Sequence, residues 1–308
     1  MSGVHQTLRH SIDCRGVSLD WGEEARALVM GILNVTPDSF SDGGLFVDLS
    51  AAVDRAGVMI EEGADIIDIG GESSRPAGSA YGAGARVVPA EEEMARVVPV
   101  IEAVVRNFPG AVVSVDTYKS QVARAAVGAG ARIVNDITGF RGDVEMPGTV
   151  AEAGVPIVLM HSVGSPGKMP HELSRRDVVA EVKDWLLRAV AAAEAHGITD
   201  IIVDPGFGFG KSVADNMRLI AELSALCELG RPILVGVSRK ASIGATLEPD
   251  GDSRPVGDRL HGSLAAASAA IQNGASIIRT HDVKATRDVA TVLHALRSSS
   301  RVRQEVAV

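Results

Sequence analysis

The sequence predicts a single-domain α/β protein, a closed (β/α)8 barrel of the TIM type, and three observations carry that prediction. Short β-branched apolar runs alternate with longer alanine-rich stretches of helical spacing along the chain. The alternation occurs eight times, with no dinucleotide fingerprint of the kind that marks an open doubly wound sheet. Hydrophobic residues make up 46% of the chain and aromatic ones only 3%, so the core is built from Ala, Val, Ile and Leu, which suits a buried parallel sheet wrapped by helices. The 308 residues fit one such barrel, which typically takes about 250.

The apolar runs fall at 28–33, 65–69, 112–115, 132–134, 156–160, 201–203, 233–237 and 276–278. Helices are expected at 50–62, 90–107, 120–129, 175–196, 259–273 and 285–297. Several strands follow a glycine, in EEGAD, VGAGAR, EAHGITD and QNGAS, where a left-handed helix cap precedes a short turn. The barrel is assigned to 26–297. Residues 1–25 are an N-terminal extension, read as a hairpin closing the barrel bottom, and 298–308 a frayed tail. No charge block or linker marks a second domain. The one low-complexity stretch, AGSAYGAGAR at 77–86, reads as a mobile loop.

Lys and Arg number 30 against 39 Asp and Glu, a formal charge of -9, so neither nucleic acid nor an anionic membrane is an expected partner. Any anionic ligand needs a local cluster of cations. Cys14 and Cys227 show no CxxC or Cys/His metal spacing and read as free thiols of a reducing cytoplasm. The N-terminus has no apolar targeting core, and no window approaches the ~18 uninterrupted apolar residues of a membrane span. The expected location is cytoplasmic.

In a barrel of this kind the active site lies at the C-terminal ends of the strands. Polar residues gather after each run: Asn34; Glu72 with Ser74 and Arg75; Asp116; Asn135 and Asp136; His161; Asp204; Ser238 with Arg239 and Lys240; Arg279 with His281. They sort into two chemical groups. Asp116, Asn135, Asp204 and Lys240 match the donor and acceptor edge of a flat heterocycle, where each unmet buried group costs ~1–3 kcal/mol. Asn34, Ser74, Arg75, Arg279 and His281 are ligands for a phosphorylated group and a hard metal ion. Together they imply a substrate with an aromatic head and a phosphorylated tail.

Other motifs carry less. GFGFGKS at 206–212 looks like a phosphate-binding P-loop, but Pro205 stands where its first glycine is required. Its glycines are read instead as letting a loop pack close to a flat ligand. A Schiff-base role for Lys240 ranks below plain hydrogen bonding. His161 and His281 end strands and are the functional candidates among the eight histidines; no HxH or HExxH points to zinc.

At this point the sequence resembles the dihydropteroate synthase family of pterin-binding barrels. The matching segments are GILNVTPDSFSDGG at 31–44, DIIDIGGESSRP at 65–76, VSVDT at 113–117 and IVNDITG at 133–139. VLMHSVGSPGKM at 158–169, DPGFGFGKS at 204–212, LVGVSRKASIG at 234–244 and IIRTHDV at 277–283 complete the set. The resemblance implies condensation of (7,8-dihydropterin-6-yl)methyl diphosphate with 4-aminobenzoate to give 7,8-dihydropteroate, by Mg2+-assisted dissociative substitution, in a cytoplasmic homodimer that is a sulfonamide target. It implies that Asp116, Asn135, Asp204 and Lys240 hold the pterin, with Met160, Phe209 and Gly236 lining it. By the same resemblance Asn34 binds Mg2+, and Asn34, Ser74, Arg279 and His281 meet the diphosphate. Arg75 and Ser238 lie near the aminobenzoate, and Lys240, Arg279 and His281 carry the catalysis. The chain departs from the family in having Ala77 directly after SRP, in the extra Gly and Ala up to Arg86, and in Ser74 where Thr is common.

Overall fold

The apolar runs form eight short parallel strands around one axis: β3 (Leu28–Asn34), β4 (Ile66–Gly70), β5 (Val112–Asp116), β6 (Ile133–Asp136), β7 (Ile157–Met160), β8 (Ile201–Asp204), β9 (Leu234–Val235) and β10 (Ile277–Thr280). The computed structural model describes residues 10–22, 24–36, 48–73, 87–164 and 177–305. Pairing runs β8-β7-β6-β5-β4-β3-β10-β9, and a parallel bridge from Val203 to Ile233 joins the two ends, closing the ring. Around it lie α1 (Leu49–Glu61), α2 (Ala90–Asn107), α3 (Ser120–Gly128), α4 (Met146–Ala153), α5 (Val178–Ala195), α6 (Val213–Ala221), α7 (Ala241–Leu247), α8 (Leu260–Gln272) and α9 (Val283–Glu305). Three of them start where a side chain accepts a hydrogen bond from a first-turn amide: Asp48 for α1, Asp177 for α5 and Ser212 for α6.

The period of two along each strand divides the molecule. Outward-facing residues such as Val29, Ile67, Val113, Val134, Leu159, Val203 and Ile278 are buried under the helices, in one apolar cluster with their inner faces. Inward-facing residues at the strand starts, among them Met30, Ile66, Val112, Ile133, Val158, Ile202, Leu234 and Ile277, form a second apolar cluster inside the barrel. The antiparallel hairpin of β1 (His10–Asp13) and β2 (Ser18–Trp21) sets Ile12, Cys14 and Leu19 against that second cluster and so floors the barrel.

Where the sequence reading places a frayed tail from Ser298, α9 continues to Glu305. The hydroxyls of Ser298, Ser299 and Ser300 turn back to the carbonyls of His294, Ala295 and Arg297, which lets a serine run continue a helix. Helices α4, α6 and α7 fall outside the ranges named from the sequence, although a helix is expected after each run; each is short, and α4 and α7 contain glycines that weaken the helical signal. Among the described residues no helix is long and apolar enough to cross a membrane. The loop at 77–86 lies outside the described residues.

Candidate active site

One strand step above the apolar floor, the inward positions turn polar. Asp68, Ser114 and Asp116, Asn135, Asp204 and Arg279 share the phase of the floor residues below them, and the register sets Asp68 beside Ser114, Asp116 beside Asn135, and Met160 beside Asp204. The Arg279 guanidinium binds two carboxylates, Nε donating to Asp68 Oδ2 at 2.6 Å and Nη2 to Asp116 Oδ2 at 2.7 Å. Asn135 Nδ2 donates to the same Asp68 oxygen at 3.0 Å. Asp68 Oδ1 and Ser114 Oγ are buried with no partner among the described residues. Such groups call for a bound polar molecule.

Burial pushes the Asp116 carboxyl up to about 7, against the pull of Arg279 and with Asp68 adding to the rise. Burial works against the Arg279 charge too, but Asp68 and Asp116 outweigh it and raise its pKa. Burial lowers Lys240 to about 7, although the Asp204 carboxylate favours its charged form. The mouth therefore holds an acid and a base that both titrate near neutrality.

The turn after β8 completes this half of the site. Gly206 has φ +68, and a Cβ there would lie 1.7 Å from the His161 carbonyl oxygen, so only glycine fits. That conformation aims Gly206 N at Asp204 Oδ1, 2.6 Å away. Lys240 Nζ donates to the Phe207 carbonyl and lies 4.3 Å from the Phe209 ring centroid. Gly208, at φ +82, leaves room for the Lys240 side chain, whose Cδ would stand 2.9 Å from an added Cβ. Met160 and Gly236 are buried at the ends of β7 and β9.

Nearer the rim, Ser238 Oγ lies 3.1 Å from His281 Nδ1 and accepts from His281 N at 3.2 Å. Arg239 takes the left-handed conformation, φ 58, and its guanidinium grips Asp282, Nε bonding Oδ2 at 3.0 Å. The turns after β9 and β10 are thus tied together. Asn34 ends β3, the strand beside β10, and is half-buried. Among the described residues no three His, Cys, Asp or Glu side chains form a metal cluster. A single neutral amide at a strand end fits a Mg2+ that keeps most of its water and arrives with a diphosphate, and does not fit a resident metal cage.

The expected residues thus fall into place unevenly. Asp116, Asn135, Asp204, Lys240 and Arg279 converge, and Arg279, expected beside the diphosphate, is paired with the Asp68 and Asp116 carboxylates. Ser74 and Arg75 lie outside the described residues. Three strand-end residues have structural roles instead. Asp136 accepts from Thr138 N and Phe140 N, holding a turn. The His161 ring meets Trp185 edge-on at 5.3 Å, turned toward α5 and away from the barrel interior. Glu72 bonds Tyr118 and Lys119. Asp68 was missed because it sits inside the run DIIDIG rather than after it; its even spacing with Ile66 and Gly70 is the signal that finds it. A cavity of about 670 Å³ opens at the opposite end, between the hairpin and the starts of β9 and β10, and contains none of these residues.

A family model described as pterin binding enzyme matches residues 30–281. Dihydropteroate synthase of Escherichia coli K12 is 44% identical over 290 residues, 92% of this chain and 96% of its own length. The chain belongs to the dihydropteroate synthase family. Among solved members, Xanthomonas albilineans dihydropteroate synthase with 4-aminobenzoic acid is 47% identical, with a TM-score of 0.82 over 94% of this chain and 99% of that one. The same enzyme in complex with 7,8-dihydropteroate is 45% identical, with a TM-score of 0.79 over 94% and 99%. The barrel and its polar mouth are those of a dihydropteroate synthase family member.

Proposed function

We propose that the chain condenses (7,8-dihydropterin-6-yl)methyl diphosphate with 4-aminobenzoate, releasing 7,8-dihydropteroate and diphosphate. The observation that carries this is the inward polar layer, in which Asp116, Asn135, Asp204 and Lys240 converge with Asp68 and Arg279 above an apolar floor. The Xanthomonas enzyme's complexes with 4-aminobenzoic acid and with 7,8-dihydropteroate support the same two ligands.

In this reading Asp116, Asn135, Asp204 and Lys240 bind the pterin edge, and Met160, Phe209 and Gly236 line its faces. Asp68 orients Arg279 and Asn135 from below. The bond between the exocyclic methylene carbon and the diphosphate oxygen breaks, the leaving group taking the electron pair. Arg279 and His281, joined by Ser74 by family resemblance, stabilise the departing charge, and the buried carboxylates favour the cationic pterin left behind. Asn34 would hold a Mg2+ that accompanies the diphosphate, and the ion would neutralise leaving-group charge. The aminobenzoate nitrogen, guided by Arg75 and Ser238, attacks the methylene carbon and then loses a proton. An aromatic amine is a free base at neutral pH, so positioning rather than a strong general base does the work.

The reading makes the protein a homodimer joined through the last helices, where Val292 and Leu296 of α9 are 59% and 61% exposed. Cys14 is buried and Cys227 exposed, and among the described residues the two form no disulfide. The test is direct: purified protein, the pterin diphosphate, 4-aminobenzoate and Mg2+ should yield dihydropteroate and diphosphate in equal amounts. No dihydropteroate in any preparation that binds pterin would contradict the assignment.

A further inference from the structure

Lys211 has no part in the chemistry above, yet it is only 3% exposed. Its Nζ donates to the carbonyl oxygens of Gly206 at 2.8 Å, Phe209 at 3.2 Å and His161 at 3.3 Å. An ammonium carries three N–H donors and no acceptor, so three carbonyls match it. His161 follows β7, whereas Gly206 and Phe209 belong to the turn after β8, so the ammonium ties that turn to the neighbouring strand. The turn carries the site: Gly206 N donates to Asp204 Oδ1, Phe207 O accepts from Lys240, and the Phe209 ring lies against the Lys240 ammonium. Asn216 of α6 holds the same turn from the other side, Oδ1 accepting from Gly208 N at 2.7 Å and Nδ2 donating to Lys211 O at 3.2 Å. Asn216, which also donates to Ser242 Oγ at 3.0 Å, carries no charge; Lys211 brings a positive charge to Asp204.

We propose that Lys211 is a positioning residue of the pterin pocket, its carbonyl-bound ammonium both fixing the turn that presents Asp204 and Phe209 and keeping the Asp204 carboxylate ready to accept from the heterocycle. This rests on the pocket reading above. The groups facing Asp204 are Lys240 ahead of α7, the Gly206 N–H, Lys211 and Arg279 of β10, while the His161 ring of the adjoining segment turns toward Trp185. Burial raises the Asp204 pKa, and Lys240, Gly206 N, Lys211 and Arg279 each draw it back. Without the Lys211 charge, Asp204 takes up its proton at a higher pH. Loss of Asn216 has no such effect.

Lys211→Gln keeps N–H donors and loses the charge; Lys211→Met loses both; Asn216→Ala loosens the turn without changing charge. Three quantities are read: pterin diphosphate affinity by calorimetry, KM for 4-aminobenzoate at saturating pterin, and titration of the Asp204 carboxyl carbon in 13C-aspartate-labelled enzyme, assigned through Asp204→Asn. In Lys211→Gln, which decides alone if the Met variant does not fold, the Asp204 titration should move to higher pH. Pterin binding should weaken about tenfold while KM for aminobenzoate stays within about twofold. Asn216→Ala should weaken pterin binding with the titration unmoved. An unmoved Asp204 titration in Lys211→Gln, or an equal loss for both substrates, overturns the role. A wild-type enzyme that binds no pterin overturns the pocket reading, and this role with it.

Discussion

The floor and the mouth of the barrel are built on the same strands, one inward step apart, and they do opposite things. At the floor, Ile66, Val112, Ile133, Ile202 and Ile277 pack against Ile12, Cys14 and Leu19 of the hairpin. Two residues further along, the inward positions are Asp68, Ser114, Asn135, Asp204 and Arg279, with buried atoms of Asp68 and Ser114 lacking partners among the described residues. The floor is satisfied as it stands, whereas the mouth is completed by a ligand. A barrel can thus hold strain and unmet polarity at one end because the other end and the helix-covered outer face carry the stability.

The sharpest way to break that contrast is to exchange losses between the two layers. Asp116→Ala and Asp204→Ala should abolish detectable pterin binding in calorimetry with the melting temperature little changed, because each leaves ring donors unpaired. Ile202→Ala at the floor should do the reverse, costing about 2–5 kcal/mol in denaturant unfolding while the folded fraction keeps its pterin affinity. Stability loss of that size from Asp204→Ala would erase the distinction.

How far this division could be read in advance differs between the layers. The eight strands and most helices were legible because β-branched runs and alanine-rich stretches differ in period and composition. The polar set proposed to bind the ring was legible at strand ends because Asp116, Asn135, Asp204 and Lys240 stand just at or beyond the apolar runs. Asp68 was hidden because its neighbours Ile67 and Ile69 face outward into the helix-covered core and make the segment look uniformly apolar. The separate fates of Asn135 and Asp136 were hidden too: adjacent residues on a strand point to opposite faces, and only the phase of the whole strand says which is which. Lys211 was illegible as a site element because it binds the backbone carbonyls of His161, Gly206 and Phe209, which leave no mark in the sequence.

Acidity offers a second probe of the mouth. Asp116 becomes ionised as pH rises through about 7, and Lys240 loses its proton over the same range. Below it the protonated Asp116 no longer accepts as a carboxylate, and above it the neutral Lys240 no longer donates as an ammonium. Pterin affinity should therefore peak near neutrality and fall on both sides. Lys240→Met, though weaker overall, should lack the alkaline fall. A flat profile across that range in the wild type would contradict the assignment of the two groups.

A smaller effect is expected from Asp68→Asn, which keeps the size of the side chain but removes one of the two charges on Arg279. Turnover should fall by about tenfold or more, with KM for 4-aminobenzoate little altered, if Arg279 acts on the leaving group as proposed. Weaker still is the dependence between substrates: aminobenzoate should bind the free enzyme poorly and gain affinity once pterin and diphosphate are present. Equal affinity in both states, measured by calorimetry, would remove the ordered sequence of binding.

The central claim, that the inward polar layer of the mouth is a pterin site and the apolar layer beneath it is not, meets its most direct test in one titration. Pterin diphosphate is titrated into wild type, Asp204→Ala and Ile202→Ala under the same buffer and Mg2+ concentration. The account predicts saturable binding to wild type and to the folded Ile202→Ala protein, and no measurable heat with Asp204→Ala. Wild-type affinity in Asp204→Ala would contradict it.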